Sequence, residues 1–231
     1  MPKMDNYEVI FTDGWSQDDH KAYAKELKRR HLEQTFFMRA LAPSPFHWQF
    51  QQAYDALQND LYLPGLSGLL NGIEASLRTI CCHIKNIPLD GDLGRVMSNG
   101  LLKEARDHGM NIEKLAFPGE EDFLDCLDNP KAPVQLVRLR NDICHGNFQS
   151  YGRELLGIGD FFTPECLGPV SATLLDVCFE WALEVAGFME SRGWRSTEEK
   201  LEKPVNPLKK WKTPDDRFPH RFDQLNVNKP S

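Results

Sequence analysis

The sequence lacks the motifs that would identify its chemistry directly. It contains no glycine-rich phosphate loop and no G-x-S-x-G nucleophile elbow, which excludes the families that these two motifs mark. Its six cysteines lie at irregular spacing and form no C-x-x-C pair, so we expect free thiols in a reducing cytoplasm rather than a disulfide framework. There is also no internal repeat and no low-complexity segment.

Long hydrophobic runs are equally scarce. No apolar stretch approaches the length of a membrane span, and the N-terminal residues lack the apolar core of a signal peptide. The 231 residues are 41% hydrophobic and 26% charged, a balance typical of a soluble globular protein with a single core. The composition therefore predicts a cytoplasmic protein of one domain, with extensions at both ends and no membrane contact.

Positive charge is scarce except at the C-terminal end. The whole chain has a net charge of −7, which argues against a protein that coats nucleic acid non-specifically. Residues 192–231, however, hold ten Lys/Arg against six Asp/Glu, a net of +4, which leaves −11 on residues 1–191. With its five prolines, this end is predicted to be an extended tail that wraps the surface or stays disordered.

What the sequence does have is a series of helical patterns. Ser16 followed by acidic residues is typical of a helix start, and the charged helix that follows should end before Pro43 as a peripheral arm. Pro133 suits the first turn of a later helix, and the loop over 146–163 is long enough to be functional or mobile. The predicted helices span residues 17–40, 46–59, 63–85, 93–108, 120–127, 134–144 and 164–191.

The most informative segment closes the helix predicted over 134–144 and reads RNDICHGN. Arg140 carries a permanent, planar positive charge that matches phosphate oxygens. His145 is of the residue type that accepts and donates a proton near neutral pH, and Gly146 is expected to end the helix in the left-handed conformation. The segment therefore predicts a phosphate anchor and an acid/base group about a turn apart.

The pattern R-N-x-x-x-H at the end of a helix resembles the HEPN superfamily of all-α proteins, many of which are metal-independent endoribonucleases. The resemblance extends from about residue 46 to residue 193 and assigns catalysis to Arg140, Asn141 and His145. It implies an all-α, HEPN-like helical bundle over residues 45–193, with an N-terminal lead and helical arm over 1–44 and a basic, proline-rich tail over 194–231.

The resemblance also implies a function. His145 would act as base or acid while the ribose 2′-hydroxyl attacks the adjacent phosphorus, Arg140 would bind the non-bridging oxygens, and Asn141 would orient the histidine or the phosphate. No metal and no cofactor is implied. Because one chain supplies few catalytic groups, two motifs would face one cleft in a homodimer. The expected role is RNA cleavage as a toxin or antiviral defence effector, with an antitoxin or regulatory partner as a further possibility.

One position departs from a subset of HEPN toxins, in which a tyrosine two positions after the histidine is modified by a partner nucleotidyltransferase. This chain has Asn147 there, and the nearest tyrosine is Tyr151. Control by that kind of antitoxin is therefore not expected.

A polar stripe on the helix predicted over 63–85 has two interpretations. Asn71, Glu74 and Arg78 recur at the same 3–4 spacing as the apolar stripe of that helix. They form either a solvated face with an internal Glu–Arg pair or a second shell that faces Arg140 and His145.

The motif itself also has a non-catalytic interpretation. Arg140 would pair with a carboxylate, and His145 would interact with the C-terminal carbonyls of its helix. The chain would then be a helical binding or oligomerisation module. Exposure of His145 on an accessible cleft favours the enzyme, whereas burial of His145 against its own core favours the module.

A metal site is the competing chemistry. Cys81, Cys82 and His83 could converge with Cys144 and His145 on zinc. Adjacent cysteines on a helix diverge by about 100°, however, so both rarely reach one ion, and no metal site is predicted. The remaining histidines are expected to be isolated, in surface or structural roles: His20, His31, His47, His83, His108 and His220.

Overall fold

The computed structural model describes residue 14 and residues 16–88, 96–129, 131–154, 160–196 and 201–210. Among these residues the regular secondary structure is helical apart from one antiparallel pair of two-residue strands, so the all-α class is confirmed. The α-helices are α1 (Gln17–Gln34), α2 (Phe36–Leu41), α3 (His47–Gln58), α4 (Tyr62–Ile84), α5 (Asn99–Asp107), α6 (Phe123–Asp128), α7 (Gln135–His145) and α8 (Gly168–Ser191). The strands are β1 (Arg153–Glu154) and β2 (Asp160–Phe161), and 3-10 helices cover Ile112–Leu115, Phe148–Tyr151, Pro164–Leu167 and Pro207–Lys210.

The centre of the core is α4, which packs on α3, α8, α5 and α7. Its glycines allow α3 to approach closely. A Cβ atom on Gly65 would lie 2.5 Å from Leu57 Cγ, and one on Gly72 would lie 2.9 Å from the ring of Phe50. Glycine in a helix interior is unfavourable by itself. The close packing of α3 on α4 explains why α4 nevertheless contains these glycines.

The last main helix, α8, crosses α4 inside the core. Trp181 Nε1 donates a hydrogen bond to Ser76 Oγ over 2.9 Å at this crossing. By length and composition alone, Pro164–Ser191 is the one stretch of the described residues that could cross a membrane. The prediction that no apolar stretch approaches the length of a membrane span is therefore wrong. The charged residues in this stretch are too few to bring its mean hydropathy below that typical of a membrane span. Of its most apolar 18 residues, 56% are buried inside the fold. This degree of burial is typical of a helix in the core of a protein.

The helix start at Ser16 is confirmed. The Ser16 hydroxyl accepts a hydrogen bond from the Asp19 N–H over 3.2 Å, and the Asp19 carboxylate accepts one from the Ser16 N–H over 2.9 Å. This reciprocal pair is a capping box, which satisfies two amides at the helix start. The helix that follows, α1, has no buried residue, as a peripheral charged helix should.

The predicted end of this first helix is wrong. The chain leaves helical geometry at Thr35, with φ −98° and ψ 6°, and α2 begins directly after it. Phe36 and Phe37 are each 1% exposed and pack in the aromatic core against Phe179 of α8. The interruption follows from tertiary packing, because one continuous helix would direct this aromatic pair along the exposed arm. The domain boundary at residue 44 stays a prediction.

Other helix starts also differ from the sequence pattern, and the helix predicted over 120–127 begins at Phe123. The helix predicted over 93–108 begins only at Asn99 among the described residues, and the motif helix begins at Gln135 with Val134 as its N-cap. Pro133 therefore precedes the helix rather than lying in its first turn. The Asn99 side chain accepts a hydrogen bond from the Val134 N–H over 3.2 Å, which links the start of α7 to α5.

Part of the C-terminal tail lies on the folded body. Leu208 and Asn206 are buried, and the Asn206 amide donates to the Ala172 carbonyl over 2.8 Å. Lys203 pairs with Glu180 over 2.8 Å. Residues 201–210 therefore contact α8, residues 197–200 and 211–231 of the predicted tail lie outside the described residues, and the extended tail stays a prediction.

Candidate functional site

The motif occupies the C-terminal end of α7. Gly146 has φ +71° and is the C-cap of the helix, as the sequence predicts, because this left-handed conformation is unfavourable for residues with a Cβ atom. The Asp142 carbonyl accepts the backbone N–H of Gly146 and that of Asn147, the latter over 2.8 Å. The helix end is thereby closed, and the direction in which the chain leaves the motif is set.

Arg140 faces the polar stripe of α4. Its Nε lies 3.6 Å from Glu74 Oε2, and Arg78 Nη1 lies 4.0 Å from Glu74 Oε1. Glu74 thus lies between two guanidinium groups, and this cluster has one positive charge in excess. The Arg140 side chain is 21% exposed, so part of it reaches solvent.

His145 is exposed, and Asn141 is half-buried. The two residues are four positions apart and so lie on the same face of α7. Arg140 is five positions before His145, which separates the two by about 140° around the helix axis. Asn141 and His145 can therefore contact one ligand together more easily than Arg140 and His145 of the same chain can.

Of the three stripe residues, Glu74 is the one with an ion pair to the motif helix among the described residues. Glu74 and Arg78 form the ion pair inside the stripe that the first interpretation requires, and Glu74 also reaches Arg140, as the second requires. Asn71, one turn before Glu74, is exposed. The two interpretations are therefore not exclusive, and the catalytic role of the stripe stays a prediction.

A contact that the sequence did not indicate closes the loop onto the motif. The Tyr151 hydroxyl donates a hydrogen bond to Asp142 Oδ2 over 3.2 Å. Burial, followed by the charge of Asp142 and this hydrogen bond, raises the pKa of Tyr151 to about 12. The rings of Phe148 and Phe162 stack at 4.9 Å between centroids across the same loop. No sequence periodicity relates Asp142 to Tyr151, because the chain between them reverses at the glycine cap.

The zinc site that the sequence analysis weighed and did not predict would use Cys81, Cys82, His83, Cys144 and His145, and its absence stays a prediction. Cys81 and Cys82 are buried in α4, whereas Cys144 is exposed at the end of α7. Among the described residues a different group forms instead, from Cys81, Glu104 and His108. The prediction that His108 is isolated is therefore wrong, because α5 places it beside α4.

Two surface pockets lie away from the motif. One, of about 410 Å³, is lined by α1 together with residues 202–205, and the other, of about 200 Å³, includes His83 and Trp194. Neither includes Arg140, Asn141 or His145. These two pockets therefore do not form a binding cleft at the motif.

No protein-family model, no curated protein and no solved structure matches this chain. The assignment of function therefore depends on the motif and its surroundings.

Proposed function

We propose that this chain is a metal-independent endoribonuclease whose catalytic residues are Arg140, Asn141 and His145. The observation that supports the proposal most is the contrast in exposure at one helix end. His145 is open to solvent, while Arg140 is partly buried and oriented by Glu74. A proton-transfer group has to reach its substrate, and a phosphate anchor has to be oriented in advance.

The reaction follows from these side chains. A base removes the proton of the ribose 2′-hydroxyl, the 2′-oxygen bonds to the adjacent phosphorus, and the bond from phosphorus to the 5′-oxygen breaks. The leaving oxygen takes up a proton, which gives a 2′,3′-cyclic phosphate and a 5′-hydroxyl. His145 moves these protons, Arg140 binds the non-bridging oxygens as negative charge develops, and Asn141 orients the histidine or the phosphate.

The active species in this proposal is a homodimer. The reaction needs both a base and an acid, and one chain offers a single motif histidine. The angle of about 140° between Arg140 and His145 also makes it easier for one phosphate to contact the arginine of one copy and the histidine of the other. Light scattering at micromolar concentration should therefore give twice the chain mass, and a strict monomer would contradict this arrangement.

The biological role that fits is a cytoplasmic toxin or defence effector that acts on RNA, with or without a regulatory partner. The chain is acidic overall, with a net charge of −7. Affinity for RNA should therefore come from a local site and fall as salt increases, since phosphate contacts release bound counterions.

The direct test is incubation of the full chain with a set of structured and single-stranded RNAs in excess chelator. It is run at a temperature at which circular dichroism shows the chelated protein folded. We expect cleavage products that end in a 2′,3′-cyclic phosphate, and we expect the matching DNA strands to stay intact because they lack the attacking hydroxyl. Cleavage of DNA, or a rate that needs added metal, would refute this chemistry.

A second candidate function is a non-catalytic helical binding or oligomerisation module. The observation that favours it is the Glu74–Arg140 ion pair, since pairing with a carboxylate is the structural role that an arginine in a helix commonly has. In that case Arg140→Ala would lower the free energy of unfolding, and no RNA would be cut under any condition. If the chain is an enzyme, Arg140→Ala should instead abolish cleavage and leave the free energy of unfolding nearly unchanged.

A further inference from the structure

Three potential metal-ligating side chains meet where α4 packs on α5. The thiol sulfur of Cys81, a carboxylate oxygen of Glu104 and a ring nitrogen of His108 all lie within 4.8 Å of one another. Glu104 and His108 are four positions apart, so they lie on the same face of α5. Cys81 is fully buried and Glu104 is 8% exposed. The fold thus brings together three different donor types away from the Arg140 motif.

The state of His108 adds a second, independent observation. Its Nε2 is buried and has no hydrogen-bond partner among the residues that the structure describes. A buried polar atom without a partner typically costs about 1–3 kcal/mol. A neutral imidazole is also the commonest protein ligand for metals. A bound cation would give this side chain the partner that the protein does not supply.

We propose that Cys81, Glu104 and His108 bind one zinc ion that links α4 to α5. Thiolate, imidazole and carboxylate together match Zn²⁺, whereas Mg²⁺ and Ca²⁺ bind through oxygen ligands alone. Ligand atoms around a tetrahedral Zn²⁺ are roughly 3.3–3.7 Å apart. Two ligand atoms that lie 4.8 Å apart therefore need to approach by roughly 1.1–1.5 Å when the ion binds, and water completes the fourth position.

Charges around the cluster allow a cation there. Lys85 pairs with Glu104 Oε1 at 2.5 Å, which orients the carboxylate. Outer partners of this kind commonly orient a ligating carboxylate. On binding, the Cys81 thiol loses its proton to solvent and forms a sulfur–zinc bond. With the thiolate formed, Cys81, Glu104 and Lys85 carry a net charge of −1, which favours a divalent ion.

The test uses the full chain, first stripped with chelator and then equilibrated with Zn²⁺ and desalted. Elemental analysis should find about one zinc per chain, and zinc should raise the melting temperature of the stripped protein, since a ligand of the folded state stabilises it. Co²⁺ in place of Zn²⁺ should give the near-ultraviolet charge-transfer absorption of a cobalt–thiolate bond.

Variants locate the site. Cys81→Ser and His108→Gln should each lower zinc affinity at least about tenfold, because losing even an outer partner of a ligand typically costs about 10–100-fold. Cys82→Ser is the matched control: Cys82 is the neighbouring buried cysteine, it lies outside the cluster, and its variant should bind like the wild type.

Three results would overturn the proposal. The first is wild-type protein that retains no zinc after desalting. The second is a Cys81→Ser or His108→Gln variant that retains a full equivalent. The third is a cobalt spectrum without the thiolate band, which is decisive even if a variant fails to fold. None of these results depends on RNA cleavage, so the zinc site and the proposed enzyme fail separately.

Discussion

The two long faces of α4 differ in how closely their neighbours pack. On one face, Gly65 and Gly72 let α3 approach until a Cβ atom would overlap its side chains. On the other, Glu74 pairs with Arg140 of α7 and with Arg78, Cys81 lies near Glu104 and His108, and Glu74 and Arg78 stay partly exposed. One helix therefore supplies both a closely packed glycine face and the groups with chemical capacity. The comparison predicts that mutations on the first face change stability, whereas mutations at the Arg140 cluster on the second change activity.

The largest expected effect is on cleavage. His145→Ala and Arg140→Ala should each reduce the rate by a factor of about 10²–10⁴, the usual contribution of a positioned acid/base or charge-stabilising group, with little change in melting temperature. Single-turnover cleavage and thermal melts measure the two quantities on the same samples.

Arg138→Ala is the matched control for this prediction, since Arg138 is exposed on the same helix and lies outside the motif. Equal losses in Arg138→Ala and Arg140→Ala would mean that only general positive charge matters. A large loss of stability in Arg140→Ala would favour the binding module.

The next effect concerns the apolar face. Gly65→Ala should lower the free energy of unfolding by about 1–3 kcal/mol, because the added methyl group overpacks a filled core, as the 2.5 Å approach to Leu57 indicates. The control is Gly187→Ala on α8, where a Cβ atom would meet nothing within 4 Å. That change should stabilise the protein by about 0.5–1 kcal/mol, since alanine favours the helix. Urea unfolding measures the free energy of unfolding of both variants. Equal effects of the two substitutions would contradict the claim that α3 packs closely on the glycine face of α4.

A smaller effect is expected for Glu74→Gln. A partly exposed ion pair is worth about 0–1 kcal/mol, so losing the carboxylate that orients Arg140 should reduce cleavage by about fivefold or less. The Michaelis constant should change less than the turnover rate if Glu74 positions a group that acts in the transition state. A loss as large as that of Arg140→Ala would contradict a positioning role.

The smallest effect concerns pH and the loop. The pKa of Tyr151 is raised to about 12 in the folded protein, against about 10 in an unfolded chain. A raised pKa means that this stabilisation is complete below pH about 10 and is lost as pH rises towards about 12. Tyr151→Phe should therefore reduce the alkaline loss of stability over that interval, measured by urea unfolding at a series of pH values. An unchanged alkaline profile would show that Tyr151 ionises alike in both states.

Local rules of sequence predicted the ends of several elements. Ser16 and Gly146 were identified from capping preferences alone, because a cap depends on a few neighbouring residues. The break at Thr35 could not be found in this way, since it follows from burying Phe36 and Phe37 against distant Phe179. The Tyr151–Asp142 hydrogen bond escaped prediction for a related reason, because it depends on the path of a loop rather than on periodicity.

The sequence by itself determined the helical class, the position of the motif at a helix end and the polar stripe on α4, because each depends on spacing within one helix. Only the tertiary structure decided that Glu74 reaches Arg140 and that Cys81 meets Glu104 and His108. Those contacts join residues on different helices, and their geometry is fixed by how closely the glycine face and the aromatic core allow those helices to pack. Helix periodicity decides which side chains share a face, and packing decides what that face meets.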